Sequence, residues 1–480
     1  ISVNPLIGQA VGDYRTNGNV QFNTAANWQV YDGTAWVGAA ADPGLGSGVI
    51  TIRNGHIATL TSSETLDQLI VEEGGTLRVN VSRNLNIGNG IEPFDLDVYG
   101  TVENNSNINV SANPGAAIRF NDNSFYYHRL NGGTIPEATW LTNSNCVITG
   151  VTNILPGGMN QVFGNFAWNC PNQTGDVDIS ANMEVRGVFT MANTGSRYLR
   201  VATSGSYTMN LGGFAQTGGR LNLAIGGFTC TFNLAGDFNF SGGSFLTSGS
   251  GIGNVNFTGP GVQEFNRTGG SFSNTRLNFT VYNGAVLDMG TSIIDVSGSF
   301  VAAGTFTLND GAGLILGDPY GITSATTGAT GGNIRVLGAR VFSQAADYTY
   351  NGIVAQATGD GLPPTVRNFT VDNLQGVTLT GDLNVTGLLT MSQGNIVTAG
   401  NDFMLSNSSA ASLVYTAGTV VGAFERNIAQ TGQNYLFPVG SALRAQSFVI
   451  QFTDLVPGSL QLSFVEGNPG NAGLPLTDGG

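Results

Sequence analysis

The sequence predicts an all-β chain, a right-handed parallel β-helix or β-solenoid with an N-terminal cap and a C-terminal antiparallel β-sandwich-like module. Three observations lead there. Between Asn368 and Met391, apolar residues fall at every second position (Phe369, Val371; Val377, Leu379; Leu383, Val385; Leu389, Met391), with Asn, Asp, Gly or Thr at most positions between. Period-2 alternation broken every few residues by turn formers signals short strands with one buried face. The unit also recurs, from Asn165 to Met191 and from Asn278 to Ala302. Within these stretches and around them a kernel of apolar, any, Gly, any, apolar returns: Val185-Arg186-Gly187-Val188-Phe189, Leu234-Ala235-Gly236-Asp237-Phe238, Val296-Ser297-Gly298-Ser299-Phe300 and Val385-Thr386-Gly387-Leu388-Leu389. A unit this short cannot bury its own apolar face, so copies must stack. Finally, 71 Gly and only 10% charged residues accompany 41% hydrophobic residues, a balance that fits a packed core with many corners rather than disorder.

Charge narrows the function classes. All 17 basic residues are Arg, no Lys occurs, and the net charge is −14. That balance argues against nucleic acid and anionic membranes as partners. Without Lys there is no Lys base and no Lys–Asn isopeptide crosslink. Cys146, Cys170 and Cys230 show neither CxxC nor Cys/His spacing, so no metal centre is expected. Cys146 and Cys170 lie about one rung apart, which leaves a bridge between stacked rungs or buried free thiols. No apolar run is long enough to span a bilayer. A start in mid-pattern at Ile1 and a stop at Gly480 without a closing element lead us to expect a mature or excised part of a longer chain.

Residues 1–48 are read as an aromatic-rich capping segment. Trp28, Tyr31 and Trp36 sit here, placed either to stack on sugar rings or to plug the open end of the array, and the plug is the favoured reading. Residues 49–410 are read as solenoid. Val49 to Ile52 begin the alternation, Asn54-Gly55 makes a tight turn, and His56 beside it is a turn residue rather than a catalyst. Asp95 with Asp97, and Asp176 with Asp178, each place two carboxylates on one strand face. Such pairs suit Ca²⁺ only if neighbouring rungs add oxygens, and solvated outer-face carboxylates are the preferred reading. Phe125-Tyr126-Tyr127-His128-Arg129 is the cluster most like a sugar-binding surface, although alternation should bury half of it. Asn-x-Ser/Thr triplets such as Asn256-Phe257-Thr258 follow from alternating outward polar positions, and stacked Asn and Thr are expected to bond from rung to rung. Residues 318–333 are read as a loop or insertion. Residues 411–480, with longer apolar runs such as Phe448 to Phe452, are read as the sandwich-like module, incomplete at Gly480.

A resemblance accompanies this reading. Gly12-Asp13-Tyr14-Arg15, the stretch from Asn27 to Val37, and Ile50 to His56 resemble the opening of large secreted, adhesin-like surface proteins of Bacteroidota. Tyr350-Asn351-Gly352, Ala355 to Gly359, Gly361-Leu362-Pro363 and Tyr435 to Gly440 are similar to their repeats. The resemblance implies export to the outer surface through type IX secretion. The sorting domain used by that pathway is not visible in residues 1–480.

Stacking implies an extended array. At roughly 22 residues per rung and about 4.8 Å between strands, some 350 residues make about 15 rungs and about 75 Å. The leading expectation is a non-enzymatic, extracellular, cell-surface stalk or filament segment that presents adhesive regions, with no cofactor and with a homo-oligomer or fibre as a partner class. The alternative is a polysaccharide-binding or polysaccharide-degrading β-helix protein. Hydrolysis needs carboxylates converging on one face, and no His/Asp/Arg constellation accompanies the Asp pairs, so no catalytic residue is assigned. Binding of surface glycans without catalysis rests on Trp28, Tyr31, Trp36, Tyr126 and Tyr127.

Overall fold

Alternation in sequence becomes register in space. The computed structural model describes residues 8–110, 115–273, 276–296, 304–324 and 331–467. These form an all-β chain, about 1% helical, with about 16 turns of parallel β-solenoid. They divide into two compact units: Ile1–Asn256 with Asn266–Asn278 and Gly298–Val301, and Phe257–Phe265 with Phe279–Ser297 and Ala302–Gly480.

In the first unit the early turns each supply three strands. Ile50–Ile52, Ile57–Leu60 and Glu64–Leu66 are followed by Leu69–Val71, Thr76–Val79 and Asn84–Ile87, and then by Leu96–Val98, Thr101–Asn104 and Asn107–Val110. Each strand pairs in parallel with its counterpart one turn away. Inward residues therefore stack into continuous columns. One runs Ala58, Leu77, Val102, Tyr126, Cys146, Phe166, Phe189, Phe214, Phe238, all buried. Within it the Phe166 and Phe189 rings stack at 5.6 Å and the Phe189 and Phe214 rings at 6.0 Å, at separations where aromatic pairs attract beyond simple burial.

The second unit repeats the plan. Leu314, Tyr348, Phe369, Leu389 and Leu413 form one column. Gln356, Val377, Ile396, Val420 and Val439 form another.

The glycine of the repeated kernel marks a close approach. Asn368 Oδ1 accepts the N–H of Leu388 at 2.7 Å, 20 residues away, and a Cβ on Gly387 would overlap that amide. Asn165 does the same for Val188 at 2.9 Å, with Gly187 as the bare position. The kernel centred on Gly298 lies outside the described residues from Ser297 onward.

Corners are fastened too. In each of the six Asn-Gly dipeptides the glycine N–H donates: Gly18 to His56 Nδ1, Gly55 to Gly74 O, Gly90 to Asp95 Oδ1, Gly132 to Ile154 O, Gly284 to Gly311 O and Gly352 to Gln356 Oε1.

At the N-terminus, Tyr14–Thr16 joins Ile50–Ile52 in parallel, while Trp28–Tyr31 and Trp36–Gly38 extend the sheet antiparallel. The boundary placed at Ala410 is not where the pairing changes. Leu389 pairs in parallel with Leu413, Ile396 with Val420, and Met404 with Glu425. Antiparallel pairing enters later, where Gly458–Leu462 lies against Phe424–Ile428 and Phe448–Ile450 against Tyr435–Phe437. Outward apolar residues such as Val421 and Val449 fill the gaps in the alternation, which is why short strands read as long ones. Of the expected insertion at 318–333, residues 325–330 lie outside the described residues. Its ends meet in a buried knot: Asp318 N–H donates to Asn333 Oδ1, and Asn333 Nδ2 reaches the carbonyls of Gly290 and Ser292.

Candidate functional site

Two of the five aromatic residues proposed to bind sugars are in the core. Trp28 is 1% exposed, and its indole N–H donates to the Phe22 carbonyl at 3.1 Å. Tyr126 is 0% exposed, and burial pushes its phenol pKa far upward. No sugar reaches either, so both assignments are corrected. The cause is parity: along Phe125–His128 the burial alternates, with Tyr126 and His128 inward and Phe125 and Tyr127 outward, as a strand requires.

Tyr126 and His128 instead build a polar chain inside the core. His128 Nε2–H donates to the Gly132 carbonyl at 2.7 Å, which leaves Nδ1 of the neutral ring to accept from the Tyr126 hydroxyl at 3.1 Å. That hydroxyl accepts in turn from Asn104 Nδ2 at 2.9 Å. Burial is the larger influence on His128 and lowers its pKa from the ordinary value, opposed by the Gly132 bond.

The outward residues form two separate groups. Tyr31 and Trp36 face each other across antiparallel strands with ring centroids 5.4 Å apart, and Arg15 lies 4.3 Å over the Trp36 ring. On another sheet, Phe125 and Tyr127 stack at 5.9 Å and 9°, with Arg129 5.5 Å from the Tyr127 ring. Glu103 ties this patch together, accepting from Arg78 at 2.5 Å and from Arg129 at 2.9 Å. The chain Arg78–Glu103–Arg129 thus runs from turn to turn along the outer face.

The paired carboxylates do the same, against expectation. Asp95 is 1% exposed and accepts the N–H groups of Gly90 and Ala117. Asp97 takes a two-point contact from Arg119 at 2.9 and 2.6 Å, plus Asn121 Nδ2 at 2.6 Å. Neither is a solvated surface group. Asp176 and Asp178 both hold Arg200 from the following turn, at 3.1 and 2.5 Å, and Asp347 holds Arg367 at two points. These pairs raise the pKa of Arg119, Arg200 and Arg367, chiefly through the hydrogen bonds to Asp97, Asp178 and Asp347. Planar guanidinium matches carboxylate bidentately, which suits a chain whose only long cation is Arg.

Neutral ladders run beside the charged ones. Asn256 Nδ2 donates to Asn233 Oδ1 and Asn233 Nδ2 to Asn210 Oδ1, each at 2.9 Å and 23 residues apart. Asn109 donates to Asn86 at 2.8 Å, and Asn278 to Asn254 at 3.0 Å. The rung-to-rung bonding expected of outward Asn is present. Its signal was in the sequence as Asn recurring at one-turn spacing.

His56 sits at its turn, with Nδ1 2.8 Å from the Thr16 hydroxyl. The three cysteines are buried and free. Cys146 pairs in register with Phe166 rather than with Cys170, whose thiol faces the Ile148 carbonyl. Among the described residues no group of three or more His, Cys, Asp or Glu side chains is arranged to hold a metal ion. The geometry is therefore one of inter-turn fastening, with half-buried aromatic–Arg contacts at Trp36–Arg15 and Tyr127–Arg129. No protein-family model, curated protein or solved structure matches this chain.

Proposed function

We propose that this protein is a non-enzymatic, extracellular structural and adhesive protein, a stiff stalk or filament segment that presents contact regions at a cell surface. The observation that carries the reading is the use of side chains on the outer faces. Asp97–Arg119, Asp176/Asp178–Arg200, Asp347–Arg367 and the Asn210–Asn233–Asn256 ladder all join one turn to the next. Such bonds resist separation of turns, which is the property a load-bearing repeat array needs. The outward Asn, Thr and Ser between them keep the surface hydrated. The resemblance to adhesin-like Bacteroidota surface proteins supports an outer-surface location reached by type IX secretion.

Electron microscopy of the native full-length product, at the cell surface and after purification, tests this. Regular fibres, bundles or rods are expected. Compact particles, or a product retained inside the cell, would overturn the reading.

A further inference from the structure

A groove on the first unit's outer face joins features that the stalk reading leaves unused. Its volume is about 240 Å³, and it lies between the outward face of Leu69–Val71 and the segment ending in Glu92-Pro93-Phe94. Ile70 lines it from the strand, and Pro93 and Phe94 from the segment. Gly90 lets the segment lie this close: a Cβ there would come within 2.9 Å of both Cγ and Nε2 of Gln68. Asp95 locks the segment by accepting Gly90 N–H at 2.5 Å and Ala117 N–H at 2.7 Å.

The polar groups in this groove set its chemistry. Gln68 is 8% exposed, lines the groove, and its side-chain amide makes no hydrogen bond among the described residues. That amide is open to the groove, so a ligand that covers it without donating and accepting in turn would strip it of solvent at a cost, and an incoming group that does both is favoured. Arg119 stacks 4.1 Å over Phe94, but Asp97 already neutralises it. Glu92 adds a carboxylate to the rim. An anion would face Glu92 and a chain of net charge −14, and a purely apolar ligand would leave the Gln68 amide unpaired. A neutral ring with one apolar C–H face and vicinal hydroxyls meets all of these demands. The volume lies below the roughly 300 Å³ at which drug-sized pockets begin, which admits one ring with the rest of a chain extending outward.

From this we infer that the groove bounded by Gln68, Ile70, Pro93 and Phe94 is a binding site for a single neutral pyranose unit at the end of a glycan. It is distinct from the half-buried Tyr127 and Trp36 patches. The inference gives the adhesive reading a ligand class, while standing on the chemistry of the groove itself.

The test is saturation-transfer NMR on the full chain with methyl glycosides of glucose, galactose, mannose and N-acetylglucosamine, each at about 10 mM, where a one-ring site binds detectably. Transfer to at least one glycoside is expected. Gln68→Leu, which keeps the volume and removes the amide, and Phe94→Ala should each weaken it at least tenfold, while Tyr127→Ala leaves it unchanged. Thermal melting confirms that the variants fold. Absence of transfer to every glycoside, transfer indifferent to both groove variants, or stronger binding of tetramethylammonium than of any glycoside would overturn the inference. Adhesion of beads coated with the full chain is measured separately. Adhesion without glycoside binding sinks the groove and spares the adhesive reading, whereas glycoside binding without adhesion supports the groove and sinks that reading.

Discussion

Asn368 and Gly387 fit together across one turn of the second unit: the asparagine amide occupies the space where a side chain on the glycine would begin. Its Oδ1 holds the next residue's N–H at 2.7 Å. The same fit between Asn165 and Gly187 in the first unit explains why the repeat carries both an Asn ahead of its apolar alternation and a Gly one turn later.

Gly387→Ala is expected to cost about 1–3 kcal/mol, the usual range for forced overpacking. Asn368→Ala should cost about 1 kcal/mol for the lost acceptor. The double variant should be less destabilised than the sum, because removing the amide relieves part of the overlap. Urea unfolding of all four proteins reads this directly, and strict additivity would contradict the fit.

Position along the array should matter less to an Arg–Asp pair than exposure does. At Asp97–Arg119 the side chains are 11% and 25% exposed, between the surface case of about 0–1 kcal/mol and the buried case of about 3–5 kcal/mol. Arg119→Ala should therefore cost about 1–3 kcal/mol. Arg367→Ala, at a pair 34% and 41% exposed, should cost about 1 kcal/mol or less on the surface scale. Equal shifts in urea midpoint would show that burial is not what distinguishes them.

His128 should make stability depend on pH. Its folded pKa is lowered by burial, so the unfolded chain takes up the proton first as pH falls. The contribution of the neutral ring is complete above the ordinary histidine value of about 6.5 and is lost as pH drops toward the lowered folded value. The difference in melting temperature between the native protein and His128→Gln should therefore narrow on acidification below about pH 6.5. A constant difference would mean that the buried chain Asn104–Tyr126–His128–Gly132 does not sense the proton.

Thiol chemistry offers a readout of unfolding. Burial raises the pKa of all three cysteines, Cys170 to about 12, so little thiolate forms and none of it is accessible. A disulfide reagent such as Ellman's should label none of them in the native protein and all three in denaturant. Fast labelling of native Cys170 would show that its turn opens.

Much of the fold was legible because the solenoid writes its packing locally. Alternation along Phe125 to Arg129 already required half of that cluster to be inward but not which half, so Tyr126 and Tyr127 were both assigned to sugar binding, and the register with neighbouring turns puts Tyr126 inside. What was not legible depends on residues one turn away. Asp95 looked like a surface carboxylate because Gly90 and Ala117, which satisfy it, belong to different loops. Arg426 is the extreme case. It is fully buried, held by the carbonyls of Leu436, Ser409 and Ala410, and lowered to about pKa 10 by desolvation. Its neighbours Phe424 and Glu425 gave no sign of that. The groove at Gln68 and Phe94 was hidden for the same reason, since register between turns is set by loops of unequal length.

The fastened corners also bear on how long such a molecule lasts. Asparagine followed by glycine is where polypeptides age fastest, because the glycine nitrogen can close on the asparagine side chain and expel ammonia. At Asn17, Asn54, Asn89, Asn131, Asn283 and Asn351 that nitrogen already gives its hydrogen to another atom of the fold, so ring closure requires the corner to open first. The folded chain is expected to keep these amides through prolonged incubation at neutral pH. Peptide mass spectrometry would find conversion to aspartate chiefly after denaturation. The chemical lifetime of the chain would then equal the lifetime of its turns.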